Sequence, residues 1–158
     1  MTQPPLPQRA GERPRASDHT PHSQLDQQPG DARLTDSIIE EASTWPHVRT
    51  QESGISVEGA QALVLDETAA SAAAGDAFMI GTEFAHAHAQ GDFSFHASLP
   101  VELAAEAERA GWAEPHFLVR TGQVPPTVVM LYAPRDEAER EVVLGLVRAS
   151  YEFARTPR

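Results

Sequence analysis

Three of the seven histidines fall close together, at His86, His88 and His96, inside a stretch whose polar and apolar residues alternate. Imidazole both accepts and donates a proton near neutral pH, and in its neutral form it is the commonest protein ligand for transition metals. Side chains alternate faces along a strand, so His86 and His88 point the same way. Whether His96 joins them depends on the turn between Ala87 and Ser94. An odd loop at Gln90-Gly91-Asp92 sets His86 opposite His96 and His88 opposite Ser94. One face then carries Phe84, His86, His88, Ser94, His96 and Ser98; the other carries Ala85, Ala87, Ala89, Phe93, Phe95 and Ala97. A two-residue turn would mix the sets, and the hydrophobic pattern selects the odd loop.

Such a patch can serve as a solvated sheet face, as an acid–base or ligand-binding surface, or as a metal site with one position open. Glu83, Asp92, Glu114 and His116 are available to supplement it. The sequence assigns no residue as a metal ligand and leaves any cofactor unknown. A second candidate is the loop Gly111-Trp112-Ala113-Glu114-Pro115-His116, whose Trp112, Glu114 and His116 are read as ligand-binding together with His86, His88 and His96. Its alternative is a structural turn anchored by Trp112. No Gly-rich phosphate loop, Gly-x-Ser-x-Gly elbow or His-Glu-x-x-His motif is present.

The elements that would hold these residues follow from periodicity. Leu34, Ile38, Ala42 and Trp45 repeat at helical spacing and predict a helix over 32–44, with Ser37 and Glu40 at capping-box spacing and Pro46 as its stop. Extended segments are expected at 47–51, 55–58, 62–65 and 78–80, followed by the hairpin of 83–88 and 93–98. The Ala- and Ser-rich stretch 68–75 reads equally as a helical turn or a loop. Pro100 and Gly111 bracket a second helix, buried through Val101, Leu103, Ala107 and Ala110. A loop over 112–126 leads to the apolar strand 128–132, expected near the centre of the sheet. Asp136 caps a last helix whose stripe is Val142, Val143, Leu146, Val147, Phe153 and Ala154. The fold class is α+β: an antiparallel sheet with helices mainly on one face. Residues 1–31 are rich in Pro, Gln, Ser and charge, which predicts a disordered tail before a single domain over 32–158.

Composition narrows the class of function. The chain has 158 residues, no cysteine and a formal net charge of -11. Disulfides and thiolate chemistry are excluded, and a reducing, cytoplasmic setting is expected. The acidic balance disfavours nucleic acid and leaves a small molecule or a protein as partner. No apolar run approaches a membrane span.

The spacing His86-Ala87-His88 is similar to the metal-binding histidines of cupins, but Gly81 stands one residue too close and a second cupin motif is missing. A broader resemblance rests on Trp45-Pro46, Glu83-Phe84-Ala85-His86-Ala87-His88, Gly91-Asp92 with Leu99-Pro100, Gly111 through His116, and Val147-Arg148-Ala149-Ser150-Tyr151. Together these resemble the small bacterial and fungal "luciferase domain" proteins. The resemblance implies that His86, His88 and His116 occupy the family's recurrent histidine positions, as catalytic candidates, and it implies no established reaction. A more distant similarity is to frataxin-like-fold proteins of the MmcQ/YjbR type. The resulting expectation is a small-ligand or partner-binding domain that uses the histidine face. The alternative is a histidine-dependent, optionally metal-assisted, oxidative or hydrolytic enzyme.

Overall fold

The structure is a computed structural model that describes residues 5–71 and 75–155. Helix α1 (Arg33–Ala42) leads into β1 (Val48–Glu52) and β2 (Gln61–Leu65), then β3 (Glu83–Ala87) and β4 (Phe95–Ser98). After these come α2 (Val101–Arg109), the short β5 (Ala113–Pro115), β6 (Val128–Leu131) and α3 (Glu137–Ala154). Among the described residues, six strands form one antiparallel sheet in the order β1-β2-β3-β4-β6-β5. Phe95, Ala97, Val129 and Leu131 share a buried cluster with Ile38 of α1, Ala107 of α2 and Val143, Leu146 and Val147 of α3. All three helices therefore pack on one face, and the α+β expectation holds. Asp136 caps α3 by accepting the Glu139 N–H at 2.9 Å.

The hairpin register follows the alternation argument. His86 pairs with His96 and Ala85 with Ala97, while the His88 N–H bonds the Ser94 carbonyl at 2.9 Å. Gln90 and Gly91 turn the chain with positive φ.

One face assignment differs. Leu63 pairs with Ala85 but Val64 pairs with Glu83, so Phe84 is an extra residue in β3. This bulge puts Phe84 in the core beside Ala85 and turns Glu83 onto the histidine face. The Ser150 hydroxyl of α3 donates to the Phe84 carbonyl at 3.0 Å, in keeping with a packing role for that helix.

Other expectations shift locally. Residues 55–57 form a bend that runs into a turn at Glu58, and 78–80 contribute only an isolated bridge at Ile80. Ala113–Pro115 is an edge strand where a loop was expected, so 128–131 lies one place in from the edge. Within 68–75, two short 3-10 turns flank residues 72–74, which fall outside the described residues. Val101 is exposed, leaving Ala104 and Ala107 as the buried side of α2. Ser37 donates back to the Leu34 carbonyl instead of capping α1.

The largest departure concerns the expected disordered tail over 1–31. Residues 5–31 lie along the domain as a strap, with Arg9, Ser17, His22 and Gln24 buried. Few apolar side chains hold it; fixed polar partners do. The Trp112 indole donates to the Pro7 carbonyl at 2.6 Å, Arg9 N–H to the Ala110 carbonyl at 2.9 Å, and Ala133 N–H to the Gln24 side chain at 2.8 Å. Arg13 donates to the Ala113 carbonyl at 2.6 Å and to the Tyr132 hydroxyl at 3.0 Å. Compositional reasoning weighs apolar content, which is low here, and does not register such hydrogen-bonding partners.

Candidate functional site

The face opposite the helices carries one transverse row of directly paired residues: Gln51, Ala62, His86, His96, Met130 and Glu114. Neighbouring strands lie about 4.8 Å apart, so the imidazoles of His86 and His96 are obligate neighbours. Their ring centroids are 5.3 Å apart, and His88, two residues along, completes the cluster at 4.6 Å from His96. His116 enters from the segment after β5, its ring 5.2 Å from that of His96. The strap supplies the fifth ring, His22.

Carboxylates stand behind these rings. The bulge brings Glu83 within 2.8 Å of His86 Nδ1, and Ser53 and the Gly54 N–H also bond its carboxylate. In an unbulged strand, residues 83 and 86 would face opposite ways. The His88 Nδ1 lies 2.9 Å from the Ser94 hydroxyl and 3.2 Å from Asp92. Glu114 reaches His22 Nε2 at 3.2 Å and accepts the Tyr132 hydroxyl at 2.7 Å.

These contacts form a continuous chain. Asp92 meets His88, His88 Nε2 meets His96 Nδ1 at 2.7 Å, His96 Nε2 meets His22 Nδ1 at 2.9 Å, and His22 meets Glu114. Four links need four protons, whereas three neutral rings carry three. The chain is fully hydrogen-bonded only with one proton in excess. That charge is disfavoured on His96: burial first, then the surrounding His88, His86, His22 and His116, hold it well below the ordinary histidine range.

His86 is also lowered, by burial above all, with Glu83 pulling the other way. Its Nδ1–H faces Glu83, so Nε2 carries the lone pair. His116 is lowered to about 4 by burial and then by the other rings. The Leu118 N–H donates to its Nδ1 at 3.1 Å, which places the ring proton on Nε2. Burial pushes the Asp92 carboxyl up, but hydrogen bonds from His88 and Ser94 outweigh this and hold it at about 2. Glu114 is likewise pushed up by burial and brought below its usual range by His22 and Tyr132.

The rings open onto a cavity of about 720 Å3. His22, His86, His88, His96 and His116 line it on one side, and Ile55, Val57, Met79, Val124 and Pro125 supply apolar wall. Of the residues expected at a site, His86, His88, His96 and His116 converge here and Glu114 supports them. Trp112 does not join them; it is buried in the core and anchors the strap. His22, Arg13 and Tyr132 escaped the sequence reading. A histidine in a polar N-terminal stretch carries no local signal of where it will dock.

Two comparisons with known proteins bear on this site. Residues 81–150, which include His86, His88, His96 and His116, match the family model of the luciferase domain. The chain is 37% identical over 73 residues to a protein named Luciferase from Armillaria gallica and 38% identical over 73 residues to one from Neonothopanus nambi. Each match covers 45% of this chain and 27% of the relative, so the chain spans about a quarter of those fungal proteins. No solved structure matches, and the distant similarity to frataxin-like-fold proteins finds no support. Among the described residues, no helix is long and apolar enough to cross a membrane.

Proposed function

Taking residues 81–150 as a luciferase domain, we propose that the chain binds a small, partly apolar organic molecule bearing an acidic hydrogen, in the cavity floored by the histidines. The observation that carries this reading is the cavity itself. About 720 Å3 of space is walled by aliphatic side chains and meets converging imidazoles on one side. That combination of size, apolar wall and few polar groups is typical of small-molecule sites. Neutral His86 offers a lone pair at Nε2, with Glu83 behind it to balance the charge it gains on accepting a proton. His116 offers an N–H donor for the anion so formed.

A second reading, that the site also turns its ligand over, is favoured by the name Luciferase on the fungal relatives. Here His86 is the general base and His88 and His96 relay its proton toward Asp92 or Glu114. A base held neutral and backed by a carboxylate suits proton abstraction in oxidative or hydrolytic chemistry alike. The acidic chain disfavours nucleic acid as a partner, and a cytoplasmic setting suits a protein without cysteine.

The test uses 4-nitrophenol, a small apolar phenol whose anion is yellow. Saturable binding is expected with a dissociation constant of about millimolar, the affinity such a small ligand can reach. The bound probe should ionise at a lower pH than the free one, and His86→Phe should abolish that shift. An absence of saturable binding by the folded protein would defeat the proposal.

A further inference from the structure

We infer that His86, His88 and His96 form a binding site for a first-row divalent transition cation of the zinc type, with one coordination position open to the cavity. One donor nitrogen from each of these three rings lies within 4.8 Å of the others. A histidine that ligates a metal through one nitrogen characteristically gives its other N–H to a carboxylate, directly or by relay. Each ring meets that condition. Glu83 lies 2.8 Å from His86 Nδ1 and Asp92 lies 3.2 Å from His88 Nδ1. His96 Nε2 faces His22 Nδ1 at 2.9 Å, and His22 Nε2 faces Glu114 at 3.2 Å. His86 Nε2, His88 Nε2 and His96 Nδ1 are then the atoms left to ligate.

Proton counting favours the cation independently. Without it, three neutral rings leave one of the four links of the chain unfilled. With a cation on His88 Nε2 and His96 Nδ1, the link between those atoms needs no proton. The three protons of neutral His88, His96 and His22 then fill the remaining three links, and His86 keeps its own toward Glu83. Every ring nitrogen is satisfied with no excess charge on the imidazoles. The 2.7 Å separation of His88 Nε2 and His96 Nδ1 is that of a shared proton. Tetrahedral bonds of about 2.0–2.1 Å would spread this pair to about 3.3–3.4 Å, so His88 and His96 part by roughly half an ångström on binding while His86 closes onto the same centre.

His22, His96 and His116 form a second close group. The Leu118 N–H occupies His116 Nδ1 and fixes the proton on Nε2, so that ring is a donor toward the cavity. Imidazole ligands without thiolates suit zinc, cobalt, iron, nickel or copper and not magnesium or calcium. A bound cation takes up the His86 lone pair, so the proton-accepting role of His86 belongs to the cation-free site; the inference does not depend on an organic ligand, and its failure would leave the small-molecule reading standing.

The experiment is titration of the full-length, untagged, chelator-stripped protein with Co2+, followed by the visible d–d absorption of four-coordinate cobalt. Saturation at one equivalent and bleaching by Zn2+ are expected. His86→Ala and His96→Ala should each weaken binding by more than about 100-fold. Glu83→Gln, which keeps the side chain's size and shape, should weaken it about 10–100-fold. His116→Ala should leave it within about threefold. Circular dichroism establishes that each protein is folded. An absence of saturable absorption in the folded wild-type chain would overturn the site, as would unchanged Co2+ binding in Glu83→Gln and His96→Ala. Loss in His116→Ala and His96→Ala with binding retained in His86→Ala would reassign the cation to the other group and overturn it equally.

Discussion

Replacing His22 with alanine tests whether the strap belongs to the site. His22 is buried and bridges two groups, His96 Nε2 at 2.9 Å and the Glu114 carboxylate at 3.2 Å. A neutral hydrogen bond contributes roughly 0.5–1.5 kcal/mol and one to a charged group roughly 1.5–3 kcal/mol. Glu114 is partly exposed, and water from the adjoining cavity can replace the lost ring, so the low end applies. The expected cost is about 1–3 kcal/mol, or roughly 3–10 °C in melting temperature for a domain of this size. Its pH dependence has a definite sign. His22 helps hold the Glu114 carboxyl below its usual range, so that stability is present above the unfolded pKa and is lost as pH falls through the folded one. The gap between wild type and His22→Ala should therefore be largest near pH 7 and narrow below the ordinary glutamate range. Thermal melts by circular dichroism at the two pH values measure it. Identical melting at pH 7 would show that the strap does not dock through His22.

Limited trypsin digestion should spare Arg9, buried and tied to the domain, and cut first at the more exposed Arg15; rapid native cleavage at Arg9 would contradict the docked strap. Val143→Asp should cost several kcal/mol, because Val143 is wholly buried and a carboxylate there has no partner. Glu139→Ala should cost about 1–3 kcal/mol, since Glu139 is bound by the Arg135 guanidinium and main-chain N–H; chemical denaturation of both variants separates these values. His86, His96 and His116 all have lowered pKa values, so in the presence of a chelator the unfolded chain binds more protons than the folded one below about 6.5. Stability should consequently fall as pH drops from 6.5 toward 4, and melting temperatures independent of pH across that window would contradict their burial.

The hairpin was legible in the sequence because strand alternation has period two and only an odd loop keeps Phe95 and Ala97 on the same side as Ala85 and Ala87. That argument brought His86, His88 and His96 together, and the apolar stripe of α3 was equally plain. The Phe84 bulge was not legible, because one inserted residue leaves composition and period almost unchanged. Yet the bulge is what turns Glu83 toward His86. Strand β5 escaped notice because three residues containing a proline carry no periodicity. The strap escaped for a different reason: its order depends on partners more than eighty residues away, among them Trp112, Tyr132 and Ala133. The sequence therefore offered the carboxylates beside the imidazoles but not the bulge that seats Glu83, and it missed the fifth ring, His22, altogether.

The most direct measurement of whether the histidine cavity is the ligand site is ring-nitrogen NMR of 15N-histidine protein, titrated with 4-nitrophenol. The chain supplies its own controls, since His19 and His47 lie outside the cavity lining. Without ligand, His86 should appear as the neutral Nδ1–H tautomer and His116 as the neutral Nε2–H tautomer. On titration, the rings of His86, His88, His96 and His116 should shift together and saturate while those of His19 and His47 stay fixed. Shifts confined to His19 or His47, or none at saturating probe, would contradict the assignment.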